Sequence, residues 1–155
     1  MKITILAVLI TFTSFNIDCK EKFEIINATS QDWFGGRKEA GKGTYYELTI
    51  VPTVESEKLS FDKIWIGEKY FNISCYQKGR RVKNDTFGAG DTVTITINDS
   101  FAPKPMPFVE EEGYEQDPKP PVSYKGSALL SFVYKSKRKY KIIENFTKLE
   151  NLNYP

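Results

Sequence analysis

Residues 61–76 read FDKIWIGEKYFNISCY, two apolar runs on either side of Gly67-Glu68-Lys69-Tyr70. Runs of this kind around a short glycine-bearing loop predict two antiparallel strands. With Ile66 set opposite Phe71, a period of two puts Ile64, Ile66, Phe71, Ile73 and Cys75 on one face and Trp65, Tyr70, Asn72, Ser74 and Tyr76 on the other. The first is a core face; the second is aromatic and polar. Cys75, in line with Ile73 and Phe71, is expected to be buried as a small hydrophobe.

Outward from this hairpin the same alternation recurs. Residues 44–51 (TYYELTIV) set Tyr46, Leu48 and Ile50 against Tyr45, Glu47, Thr49 and Val51, and stop at Pro52. Residues 92–97 (TVTITI) aim Val93, Ile95 and Ile97 at a core and their threonines away from it. Residues 23–27 (FEIIN) make a first strand. Residues 127–134 (SALLSFVY) and 140–144 (YKIIE), joined by a basic turn at 135–139, make a closing hairpin whose first strand is apolar on both faces, as a central strand is. No helical period is sustained anywhere. About seven short strands in one domain predict an all-β fold, an immunoglobulin-like antiparallel sandwich, with a small β-barrel as the alternative.

The 155 residues are one domain's worth once a leader is removed. Lys and Arg total 22 against 20 acids, so the net charge of +2 supplies no global field to draw the chain onto nucleic acid, and no specific nucleic-acid binding is expected. Histidine is absent, which excludes Ser-His-Asp and Cys-His catalysis and any His-ligated metal. With Cys19 and Cys75 as the two cysteines, a thiolate metal cluster is excluded as well, and no cofactor is expected.

Met1-Lys2 and the mainly apolar residues 3–15 (ITILAVLITFTSF) have the proportions of an export signal and are short for a bilayer span. Cys19 follows, and then the charged tether Lys20-Glu21-Lys22. This start resembles a bacterial lipoprotein signal, in which the cysteine is acylated and becomes the mature N-terminus. The short signal, CKEK tether and aromatic β domain together resemble exported proteins of Bacteroidota. The resemblance implies a signal peptide at 1–18, a tether at 19–22, a single domain at 23–155, lipidation at Cys19, a membrane partner through that lipid, and a place in the periplasm or on the outer membrane or cell surface. A plainly secreted form is the alternative, because Asp18 and Asn16 stand where the pattern has a small and an apolar residue.

Several stretches hold candidate chemistry. Residues 28–43 carry Gly35, Gly36, Gly41 and Gly43 and read as a turn or mobile loop. Within it residues 36–42 fit the first seven positions of a phosphate-binding loop, but a strand follows where a helix is required, so the match reads as chance. Residues 98–122 hold six of the eight prolines and the acids Glu110, Glu111, Glu112, Glu115 and Asp117; this composition predicts a long surface loop. Its carboxylates match no calcium loop and carry the weaker idea of a glycan hydrolase. The basic residues Arg37, Lys42, Arg80, Arg81, Lys137 and Arg138 form a polyanion patch if their loops converge at one end of the sandwich. Trp65, Tyr70, Asn72 and Tyr76, with Trp33, are the candidate ligand surface, since a flat aromatic face suits the apolar face of a sugar ring. The competing reading is that Trp65 packs in the sandwich and the outer tyrosines merely cover the sheet. The leading expectation is thus a non-enzymatic, exported cell-envelope accessory or binding protein with a glycan or protein partner; a carbohydrate-binding module is the alternative.

Overall fold

The computed structural model describes residues 21–37, 40–81, 86–101 and 118–155. Cys19, Lys38, Lys83 and the acidic residues of 110–117 lie outside them. The chain forms β1 (Phe23–Phe34), β2 (Lys42–Pro52), β3 (Leu59–Ile66), β4 (Lys69–Asn72), β5 (Cys75–Gln77), β6 (Arg80–Arg81), β7 (Val93–Phe101), β8 (Ala128–Tyr134), β9 (Lys137–Ile143), β10 (Thr147–Lys148) and β11 (Leu152–Asn153). A front sheet runs β10-β1-β2-β7-β5-β6, with β11 also pairing with β1, and a back sheet runs β4-β3-β8-β9. The order β1-β2-β7-β5 against β4-β3-β8-β9, antiparallel throughout, is the strand order of immunoglobulin-type sandwiches. Two separate sheets take the place of the barrel alternative.

The hairpin at 61–76 is tighter than its sequence suggested and serves both sheets. Gly67, at φ 61°, opens a two-residue turn that sets Ile66 opposite Lys69, Trp65 opposite Tyr70 and Ile64 opposite Phe71. The register differs from the expected one by two residues, so the faces keep their membership. After Asn72 the chain leaves the back sheet: the Ile73 N–H donates to the Asp62 carbonyl, and Cys75 pairs with Ile95 of β7. Tyr76 therefore sits on the front sheet, away from Trp65. Alternation hid this crossing because Phe71, Ile73 and Cys75 point at one core from whichever sheet holds them.

Other boundaries moved for related reasons. β1 runs on to Phe34, where composition had suggested a loop, because ladder pairing with β2 up to Phe34 opposite Lys42 organises polar residues that carry no apolar alternation. The strands flanking the phosphate-loop match, β1 and β2, are antiparallel, and a strand and not a helix follows it, in agreement with the chance reading. β9 starts at Lys137, since Lys135 and Ser136, both at positive φ, complete a two-residue turn. β7 continues to Phe101, so the proline-rich stretch begins later than expected.

Between the sheets lie Leu48, Ile50, Val93, Ile95 and Cys75 from the front and Ile64, Ala128, Leu130 and Ile143 from the back, all buried. At the lower end Phe23 meets Phe61 and Phe132 edge-on, with centroids 5.0 and 4.9 Å apart. The upper end closes with polar links instead. Asp32 takes Lys148 at 2.7 Å and accepts from Thr44 at 2.8 Å, while Asp99 takes Lys69 at 2.7 Å. The pairing with Lys148 and the Thr44 hydroxyl holds the Asp32 carboxyl below the usual carboxylate range.

Candidate functional site

A sandwich buries its two inner faces and leaves each outer face to water, ligand or cover. On the front sheet the registers place rows side by side: Trp33, Gly43 and Ser100; Gln31, Tyr45 and Asn98; Thr29, Glu47 and Thr96; Asn27, Thr49, Thr94 and Tyr76. Asn27, Glu47, Thr96 and Asn98 are exposed, and Trp33, Tyr45, Thr49, Thr94 and Tyr76 are half-buried. The result is a lattice of hydroxyls and amides, with strands about 4.8 Å apart and like-facing residues roughly 6.6 Å apart along each strand.

Aromatic groups gather at the upper end of this face. Trp33 and Tyr45 stack at 5.8 Å with 25° between their planes, and Tyr154 meets the indole edge-on at 6.3 Å. Trp33 Nε1–H donates to Asn98 Oδ1 at 3.2 Å. The hydrogen bond with Tyr154 raises the Tyr45 hydroxyl above its ordinary pKa, with partial desolvation adding to it. Gly43 makes the arrangement possible: a Cβ there would stand 2.7 Å from Trp33 Nε1 and 2.4 Å from the Asp99 carbonyl oxygen. The indole lies over a strand position that has no side chain. The C-terminal segment is fixed beside it by the Tyr154 N–H to the Phe34 carbonyl, at 3.0 Å, and by Gln31 Nε2 to the Glu150 carbonyl, at 2.8 Å.

The residues proposed from sequence do not form one surface. Trp33 and Tyr76 share the front outer face but sit roughly 20 Å apart along the strands, six residues at about 3.3 Å each. Trp65, Tyr70 and Asn72 lie on the back sheet's outer face. There Trp65 is 4% exposed and offers no free stacking face, and it lies outside the core cluster between the sheets. Tyr70 is held between the Trp65 ring at 5.5 Å and Lys63 Nζ at 5.7 Å, and its hydroxyl donates to Asn72.

The basic residues do not all converge. Lys42 pairs at the Phe101 end of β7, whereas β5 and its turn lie at the Val93 end, so Arg37 and Lys42 are about 20 Å from Arg80 and Arg81. Lys137 belongs to that lower end, because Tyr134 and Lys137 close the turn beside Leu59. Arg138 is committed to Asp62 at 2.8 Å and Ser131 Oγ at 2.6 Å. A loop-borne basic residue shows its charge in the sequence but not the end of the sandwich it occupies.

Sequence reasoning missed Asn98 and Tyr154. Asn98 continues the outward alternation of Thr94 and Thr96, a usable signal obscured by the proline-rich stretch that follows. Tyr154 carries no local signal at all. Cys19 and the acidic residues at 110–117 fall outside the described residues. Among the described residues no three acids or cysteines are grouped to hold a metal ion. No protein family, curated protein or solved structure matches the chain.

Proposed function

We propose that the chain is a non-enzymatic binding module, exported and held at the cell envelope through Cys19, that recognises a glycan on the outer face of its front sheet. The observation that carries this reading is the Trp33–Tyr45 pair stacked at the upper end of an open polar face. An aromatic plane takes the apolar face of a pyranose, while fixed amides and hydroxyls bond its equatorial groups. Asn98, Thr96 and Glu47 supply such groups next to the rings. Backbone pairing on both sides of β2 holds them at fixed spacing, so little ordering cost falls on binding.

Retention on immobilised polysaccharides tests the reading. Wild type is expected to be retarded by at least one glycan of a panel, Trp33→Ala and Tyr45→Ala to lose that retardation, and Tyr70→Ala, on the opposite face, to keep it. Equal retention of all four proteins would remove the front face from recognition. For the anchor, a Cys19→Ser variant that stays with the membrane would contradict lipidation.

A further inference from the structure

The back sheet's outer face holds a second recognition geometry, one the chain fills itself. Trp65 and Leu129 point away from the sandwich core, yet they are 4% and 1% exposed. Residues 118–124, PKPPVSY, cross this face without regular secondary structure. The Trp65 indole Nε1–H donates to the Pro118 carbonyl at 2.7 Å, and the Tyr124 hydroxyl donates to the Gly67 carbonyl at 2.8 Å. Partial burial against the sheet raises the Tyr124 hydroxyl above its ordinary pKa. Tyr70 and Tyr140 flank the indole at 5.5 and 6.3 Å. Pro120 and Tyr124 are half-buried and the other five residues are exposed, so the strap lies on the sheet and not inside the fold.

Proline fixes φ near the polyproline II value and removes N–H donors, which leaves the carbonyls of such a segment in need of outside donors. An indole N–H between tyrosine walls meets that need, and it is the means by which aromatic grooves hold proline-rich peptides. We propose that the outer face of the back sheet is a docking groove for extended proline-rich peptide, occupied in cis by residues 118–124 and open to competition by a partner segment of the same chemistry. This surface is on the opposite side of the molecule from the glycan-binding face and does not depend on it.

The test uses the full chain carrying Trp33→Phe, so that Trp65 is the sole tryptophan, and a synthetic peptide PKPPVSY. Two further variants loosen the strap: Tyr124→Phe, which removes the hydroxyl bond and keeps the ring, and Pro118→Gly with Pro120→Gly. Each is expected to increase acrylamide quenching of Trp65. Each is also expected to bind the peptide at least tenfold more tightly than the strapped chain, with quenching returning to the strapped level. A peptide with its prolines replaced by glycine should bind at least tenfold more weakly. A loosened chain that keeps its β circular dichroism but gives no saturable response to PKPPVSY, or responds equally to the glycine peptide, overturns the proposal. If the double proline variant unfolds, the Tyr124→Phe chain decides by the same criteria.

Discussion

Each outer face of the sandwich carries a tryptophan beside a tyrosine, and the two pairs meet opposite fates. On the front sheet Trp33 and Tyr45 stack at 5.8 Å and the indole N–H is satisfied within the same sheet, by Asn98. On the back sheet Trp65 and Tyr70 lie 5.5 Å apart and the indole N–H reaches out of the sheet, to the Pro118 carbonyl of a covering strap. The neighbours decide the difference. Around Trp33 the outward residues are Gln31, Asn98 and Thr96, which water or a polar ligand can satisfy. Around Trp65 they include Leu129, 1% exposed, apolar surface that gains from being covered, at about 25 cal/mol per Å². An aromatic pair on an outer strand face thus has no fixed meaning. The polarity of the rows next to it determines whether it becomes a platform or a floor.

The largest break in this comparison is expected from truncating the floor. Trp65→Ala should cost about 3–5 kcal/mol, as removal of a buried large aromatic does, and leave the Pro118 carbonyl without its donor. Trp33→Ala should cost about 1 kcal/mol, the order of one aromatic pair. Urea unfolding followed by circular dichroism distinguishes the two, and equal costs would mean that the faces do not differ as described. Gly43→Ala comes next. Its Cβ has no room beside the Asp99 carbonyl and the Trp33 indole, so a destabilisation of about 1–3 kcal/mol is expected, together with loss of glycan retention. Unchanged retention in that variant would detach Trp33 placement from binding.

The smallest effect concerns alkaline titration. The Tyr45 pKa is raised first by the Tyr154 hydroxyl, whereas that of Tyr124 is raised first by burial. Replacing Tyr154 by Phe should therefore let Tyr45 ionise at lower pH and leave Tyr124 where it is, as read by tyrosinate absorbance. A raised folded pKa gives stability that is complete below the unfolded value of about 10 and is lost as pH rises through the folded value. The variant should accordingly show a shallower loss of stability above about pH 10 than wild type.

The all-β class, the sandwich and most inward residues were legible, because Leu48, Ile50, Ile64, Val93 and Ile95 alternate along strands that each bury one face against the same core. Strand pairing across long separations was not. Nothing local marks Ile73 as the residue where the chain changes sheets, or shows that Thr147 and Leu152 return to pair with β1. The floor around Trp65 was half legible: its outward parity followed from alternation, but its cover arrives from residues 118–124, whose prolines read as solvated loop. Trp33 was named for its chemistry alone. Its platform depends on Gly43 lying directly opposite and on Tyr154 at the far end of the chain, two contacts that only the folded register brings together.

The most direct test of the front face as the recognition surface uses a chain with Trp65→Phe, in which Trp33 is the sole tryptophan. Its emission is followed while soluble glycans from the retention panel are added. The expected result is a saturable change in Trp33 emission with at least one glycan, abolished by adding Tyr45→Ala. A folded Trp65→Phe chain that is retained by a glycan yet shows no saturable change in Trp33 emission would contradict the account.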